Sequence, residues 1–143
     1  MTTPAATLVL DNEAVQALAD VTHRKHRRAL AFLEVANQRS GRRRPAIAVV
    51  VPVAVRIEAG WDRRAPAAAT LNRISRARDV ALTGGAADRA AELRAASGVS
   101  VVDATIAQVA EGLVGPVAIL TSDTGDMRRV AGLVEADVRL VRL

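Results

Sequence analysis

Apolar positions fall into short continuous blocks, separated by longer stretches in which they recur at helical period. Thr7-Leu8-Val9-Leu10 is a block that ends at Asp11, and a helical pattern follows at once from Asn12 to about Asp20. A basic helix is predicted from roughly His23 to Gln38, with Leu30, Phe32 and Leu33 turned inward and Ser40-Gly41 as its stop. The β-branched block Ile47 to Val51 reads as a second strand. Pro52 ends it and is tolerated in the first turn of the next helix, where Val53, Val55, Ile57 and Trp61 supply apolar contacts.

A weaker strand over Asp79 to Leu82 precedes Gly84-Gly85, read as a turn, and then a helix from about Ala86 to Ala96 closed by Gly98. Ser100 caps another helix, in which Val102, Ile106, Val109, Ala110 and Leu113 recur until Gly115-Pro116 breaks it. Val117 to Leu120 reads as a buried strand, Asp123 to Leu133 as a helix and Val138 to Val141 as the last strand. Strand and helix alternate throughout, which predicts an α/β fold with a largely parallel sheet. A length of 143 residues, without an internal repeat or a linker, predicts one domain over residues 1–143.

Composition narrows this picture. Half the residues are hydrophobic and 24% charged, which excludes a chain disordered by composition. The longest apolar run, Ala46 to Val55, contains Pro52 and falls far short of the roughly 20 residues that span a bilayer. No membrane association is predicted. The N-terminus lacks the basic start and apolar stretch of a secretion signal and the chain has no cysteine, so a cytoplasmic protein is expected.

Twenty basic against fifteen acidic side chains give a net charge of +5, and Lys25 is the only lysine. Guanidinium forks suit phosphates, so nucleic acid or an acidic partner is the first expectation; a merely arginine-rich composition is the alternative. With Phe32 and Trp61 as the only aromatics, the chain lacks the stacking platforms of most single-strand and RNA-recognition modules. Contact with nucleic acid would rest on the backbone, with Arg42, Arg43 and Arg44 as candidates against a solvated charged loop.

Parallel sheets bind ligands beyond the carboxyl ends of their strands, so the acids there carry the candidate chemistry. Asp11 ends the first strand, Asp123 follows the fourth, Glu58 lies in the helix after the second, and Asp103 opens the helix before the fourth. Asp11 and Asp123 also suit plain N-caps, and Ser100-Val101-Val102-Asp103 and Asp123-Thr124-Gly125-Asp126 have capping-box spacing. Glu58 resists that reading. It lies beyond the first turn, with Ala54, Val55 and Trp61 three or four residues away, so burial there would be costly without a neutralising partner.

Four converging carboxylates repel one another by about 4 kcal/mol per pair at 4 Å and an effective dielectric of 20, a penalty that a hard divalent cation removes. Oxygen donors without cysteine select Mg²⁺ or Mn²⁺ over zinc. His23 and His26 sit among cations, which argues against a second metal site.

The segments Leu8-Val9-Leu10-Asp11, Val51-Pro52-Val53-Ala54-Val55-Arg56-Ile57-Glu58, Val102-Asp103-Ala104-Thr105-Ile106-Ala107 and Leu120-Thr121-Ser122-Asp123-Thr124-Gly125-Asp126-Met127 resemble the PIN-domain nucleases. Within that group, their order and the chain length look most like the VapC toxins of type II toxin-antitoxin systems. The resemblance runs from about residue 7 to the C-terminus. It implies a three-layer α/β/α sandwich around a mainly parallel five-stranded sheet. It also implies a Mg²⁺-dependent endoribonuclease, a homodimer, and inhibition by a VapB-type antitoxin.

By that resemblance Asp11, Glu58, Asp103 and Asp123 match the acidic catalytic and metal-binding tetrad, Glu58 directly or through a water, and Asp126 matches a further acid of the Thr-Ser-Asp loop. One residue departs from the pattern. Two positions after the first Asp the family usually has a small or hydroxyl residue, whereas this chain has Glu13, which either alters metal affinity or points away. The alternative function is a catalytically weak PIN-like scaffold that mainly binds a partner. A phosphotransfer domain of receiver or haloacid-dehalogenase type is disfavoured: the latter wants Asp-x-Asp, and both want a lysine near the site, whereas Lys25 lies in the predicted basic helix.

Overall fold

The computed structural model describes residues 5–38, 47–69, 72 and 78–143. β1 (Thr7–Leu10) leads directly into α1 (Asn12–Ala19), and α2 (His26–Gln38) follows after a turn. β2 (Ala48–Pro52) passes into α3 (Val53–Ala59), with Pro52 as the residue between strand and helix. A short 3₁₀ turn (Pro66–Ala68) precedes β3 (Arg78–Val80), α4 (Gly84–Ser97) and α5 (Val101–Glu111). β4 (Val117–Thr121), α6 (Thr124–Ala131) and β5 (Val138–Arg142) complete the chain.

The five strands are all parallel, in the order β3-β2-β1-β4-β5. Leu8 of β1 lies in register between Val49 of β2 and Ala118 of β4. The chain thus builds outward from β1 through β2 to β3, then crosses back to add β4 and β5 on the other side. The point where that order reverses lies between β1 and β4, and their carboxyl ends carry Asp11 and Asp123.

Every residue of β1 and of β4 is buried, without the alternation of a sheet that has one wet face. Continuous burial means that helices cover both faces, which gives an α/β/α sandwich. Among the described residues, Leu10, Leu33, Leu93, Ile106, Ile119, Leu120 and Met127 are the largest fully enclosed side chains. Each contributes about 1.5–3 kcal/mol relative to full exposure. Among the described residues, no helix is long and apolar enough to cross a membrane.

Three local expectations change. Gly84-Gly85 is the first turn of α4 instead of a separate turn, because the Thr83 hydroxyl accepts the Ala86 amide and caps the helix there. The third strand is Arg78–Val80, paired with Val50–Pro52, and ends before Leu82. The second helix begins at His26 and not His23: the Asp20 carboxylate accepts both the amide and the hydroxyl of Thr22, which folds residues 20–25 into turns. Lys25 therefore lies in a connection and not on a helix. The predicted stop Ser40-Gly41 and the run Arg42-Arg43-Arg44 lie outside the described residues.

Candidate metal centre

Three carboxylates meet at the carboxyl end of the sheet. Asp103, Asp123 and Asp126 each offer an oxygen, and these atoms lie within 4.8 Å of one another. Local capping chemistry places all three. The Ser100 hydroxyl accepts the Asp103 amide at 3.0 Å, which starts α5 and sets Asp103 in its first turn. Asp123 caps α6 by accepting the Asp126 amide at 3.1 Å, while its own amide donates to the Thr121 hydroxyl. The capping readings of Ser100 and Asp123 are therefore correct and compatible with a site, because each cap leaves carboxylate oxygens unused.

Asp11, 7% exposed, is not one of these three but is tied to the loop that carries Asp123. Its carboxylate accepts the Ala14 amide at 2.9 Å, which caps α1, and the Ser122 amide at 3.3 Å. One side chain thus ties the end of β1 to the loop that carries Asp123. Burial pushes the Asp11 carboxyl above its ordinary value, against hydrogen bonds from Thr121, Ala14 and Ser122. Asp103 is raised as well, first by burial and then by the like charges of Asp123, Asp126 and Asp11, against the Ser100 hydroxyl. Asp103 therefore feels the other three aspartates as one electrostatic unit.

Glu58 departs from expectation. The burial inferred from its neighbours assumed that the helical face continues to Trp61, but α3 ends at Gly60, whose φ of +66° turns the chain away. Glu58 is exposed on the last turn and is not one of the three grouped carboxylates. Its helix nonetheless packs against α1 and α5, the helices that follow Asp11 and carry Asp103. Trp61 is buried, with the Arg63 and Arg56 guanidiniums 4.5 and 5.5 Å from its ring centre, so the chain's own arginines cover the ring. It serves as core.

The sequence reading missed Lys25. Its ammonium lies 3.0 Å from the Glu13 carboxylate and donates to the Ser122 hydroxyl at 3.1 Å, one residue from Asp123. The objection to phosphotransfer domains from a remote lysine therefore falls. Strand order now separates the receiver type, which runs 2-1-3-4-5. The Asp-x-Asp objection to the dehalogenase type still holds. Asp20 before Thr22 was the one sequence signal that a turn would carry Lys25 back towards the strand ends. His23 and His26 are spent on backbone contacts, His23 accepting the Lys25 amide and His26 donating to the Ala17 carbonyl. Asp126 is partly committed too, since Arg129, which also donates to the Ser97 carbonyl, pairs with one of its oxygens.

The donor set fits a hard divalent cation. It is all oxygen, its members come from α5, the β4–α6 connection and the first turn of α6, and burial together with the like charges of its neighbours raises Asp103. The molecule is thus a parallel α/β sandwich with an acidic nest at its topological switch point.

Comparison with solved structures then identifies the fold as PIN-like. A chain in the crystal structure of VapBC2 from Rickettsia felis, bound to a DNA fragment from their promoter, is similar over 94% of this chain and 98% of its own, with a TM-score of 0.59 and 12% identity. No family model and no curated protein matches the sequence.

Proposed function

We propose that this chain is a metal-dependent endoribonuclease and the toxin member of a VapBC-type pair. The observation that carries the reading is the convergence of Asp103, Asp123 and Asp126 at the sheet's switch point, with the Asp123 loop tied to β1 by buried Asp11. The fold of the VapBC2 chain supports it. Asp11, Asp103 and Asp123 would hold Mg²⁺, with Mn²⁺ as a substitute, and Asp126 would contribute its oxygen not engaged by Arg129. When bound, the ion would supply Lewis-acid polarisation of a phosphodiester and a water of lowered pKa.

The chain's own residues do the rest. Asp11 fixes the Ser122 amide and so holds the Asp123 loop against β1. Glu58, from its exposed position, would act through a water or orient the nucleophile. Arg42, Arg43 and Arg44 would grip RNA phosphates or the VapB-type antitoxin; removing Asp11, Asp103, Asp123 and Asp126 from the charge count leaves +9 on the rest of the chain. One domain over residues 1–143, working as a cytoplasmic homodimer, completes the reading.

Purified protein is incubated with total cellular RNA in Mg²⁺, in Mn²⁺ and in EDTA, and new ends are mapped. Fragments that need the metal and disappear with Asp11→Asn and Asp123→Asn are expected. Cleavage that survives EDTA or persists undiminished in Asp11→Asn counts against the proposal. Absence of cleavage with metal binding intact would favour the weak scaffold instead.

A further inference from the structure

Glu13 places another carboxylate beside the site, two residues after Asp11, and its charge adds to the forces that raise Asp11. It is nevertheless held. The Lys25 ammonium lies 3.0 Å from its carboxylate and donates to the Ser122 hydroxyl at 3.1 Å, and the Ser122 side chain also hydrogen-bonds Glu13, so ammonium, hydroxyl and carboxylate join α1 to the Asp123 loop. Both partners are largely shielded, at 20% and 30% side-chain exposure, where an ion pair is screened less than at the open surface. Lys25 is the chain's only lysine, and two turns bring it there: Asp20 holds Thr22, and His23 accepts the Lys25 amide.

We propose that Lys25 is a positioning residue that, together with Ser122, holds Glu13 in place and offsets its charge, so that the metal is bound by the aspartates with moderated affinity. The inference rests on the proposed metal site. It makes a prediction in sign that an ordinary structural contact does not. Removing the ammonium while keeping the stem leaves Glu13 held by Ser122 with its charge no longer offset, which makes the local potential more negative, so a divalent cation binds tighter. Removing the carboxylate leaves Lys25 unopposed beside the site, so the cation binds more weakly. A contact that only braced the loop would weaken metal binding in both cases.

The test is calorimetric Mn²⁺ titration of the full chain and of Lys25→Met, Lys25→Arg, Glu13→Gln and the double variant Lys25→Met/Glu13→Gln, with metal-free thermal melting to verify folding. Lys25→Met is expected to bind on the order of five-fold tighter, the effect of one unit charge acting on a divalent ion through a largely aqueous path. Glu13→Gln is expected to bind several-fold more weakly, while Lys25→Arg and the double variant stay near wild type. Lys25→Met that binds Mn²⁺ no tighter than wild type, while wild type binds, overturns this inference alone. A wild-type chain that takes up no Mn²⁺ overturns the metal reading and this inference with it.

Discussion

Replacing Asp103 with Asn tests whether the aspartates form an electrostatic unit that is strained without metal. The change is nearly isosteric and leaves the cap of α5 intact, because Ser100 accepts the backbone amide of residue 103, and the amide oxygen of Asn can still accept from the Ser100 hydroxyl. What it removes is one negative charge within 4.8 Å of two others. At that separation a pair of unit charges interacts by about 3.5 kcal/mol at an effective dielectric of 20 and about 0.9 kcal/mol in water. Asp123 is exposed and Asp126 already faces Arg129, so the aqueous end applies, about 1 kcal/mol for each of the two pairs. Loss of a favourable first-turn charge on α5 offsets about 0.5 kcal/mol of that gain.

The metal-free variant should therefore be about 1–1.5 kcal/mol more stable than wild type, which for a chain of this size raises Tm by roughly 3–6 °C. The assay is thermal unfolding followed by circular dichroism, in EDTA and in a Mn²⁺ series. Wild type should gain Tm with Mn²⁺, as any ligand bound only by the folded state requires, whereas Asp103→Asn should lose most of that increment. A variant less stable than wild type in EDTA, or one that keeps the full Mn²⁺ increment, would refute the reasoning. The first outcome would mean that the aspartates are not in mutual repulsion; the second, that Asp103 does not hold the ion.

The raised carboxyls fix a pH dependence. Because the folded-state values of Asp11 and Asp103 lie above the ordinary carboxylate value, their contribution to metal-free stability is fully present below that value and is lost as pH rises through the raised ones. The Mn²⁺-induced rise in Tm should accordingly be largest at neutral pH and fade on acidification through the same window; a pH-independent increment would contradict the burial of these groups. Asp11→Asn should stay folded, since an amide oxygen still accepts from one amide donor, whereas Asp11→Ala leaves the Ala14 and Ser122 amides unanswered in a buried setting and should cost about 2–3 kcal/mol by urea denaturation. Gly60→Ala should cost about 1 kcal/mol from backbone conformation alone, because φ is +66° and nothing lies within 4 Å of the added methyl; loss of several kcal/mol would mean that the site is more crowded than this geometry indicates.

Local chemistry was legible in the sequence wherever a short-range rule sufficed. The apolar blocks at 7–10, 47–51 and 117–120 mark β1, β2 and β4 because central parallel strands are buried on both faces and tolerate no polar alternation. Ser100, Gly98, Asp11 and Asp123 announce helix ends through capping, whose partners lie within three or four residues. The site could be read in outline, since strand ends in a parallel sheet must converge.

Three other features depended on contacts distant in sequence or on a single backbone angle. Helical spacing puts Glu58 on an apolar face with Trp61 only if the helix continues through Gly60, and that one left-handed residue ends the face. Asp126 is marked by its capping spacing from Asp123, but its approach to Asp103 depends on how α6 packs against α5. Lys25 meets Ser122 across 97 residues of chain, through turns that move the start of α2 to His26. Sequence by itself determined which segments become strands and helices and which acids stand at their ends, since backbone hydrogen bonding and side-chain periodicity act over a few residues. Only the tertiary structure decided which of those charges face one another, because Coulomb interactions depend on distance through space, and that distance is set by how the layers pack.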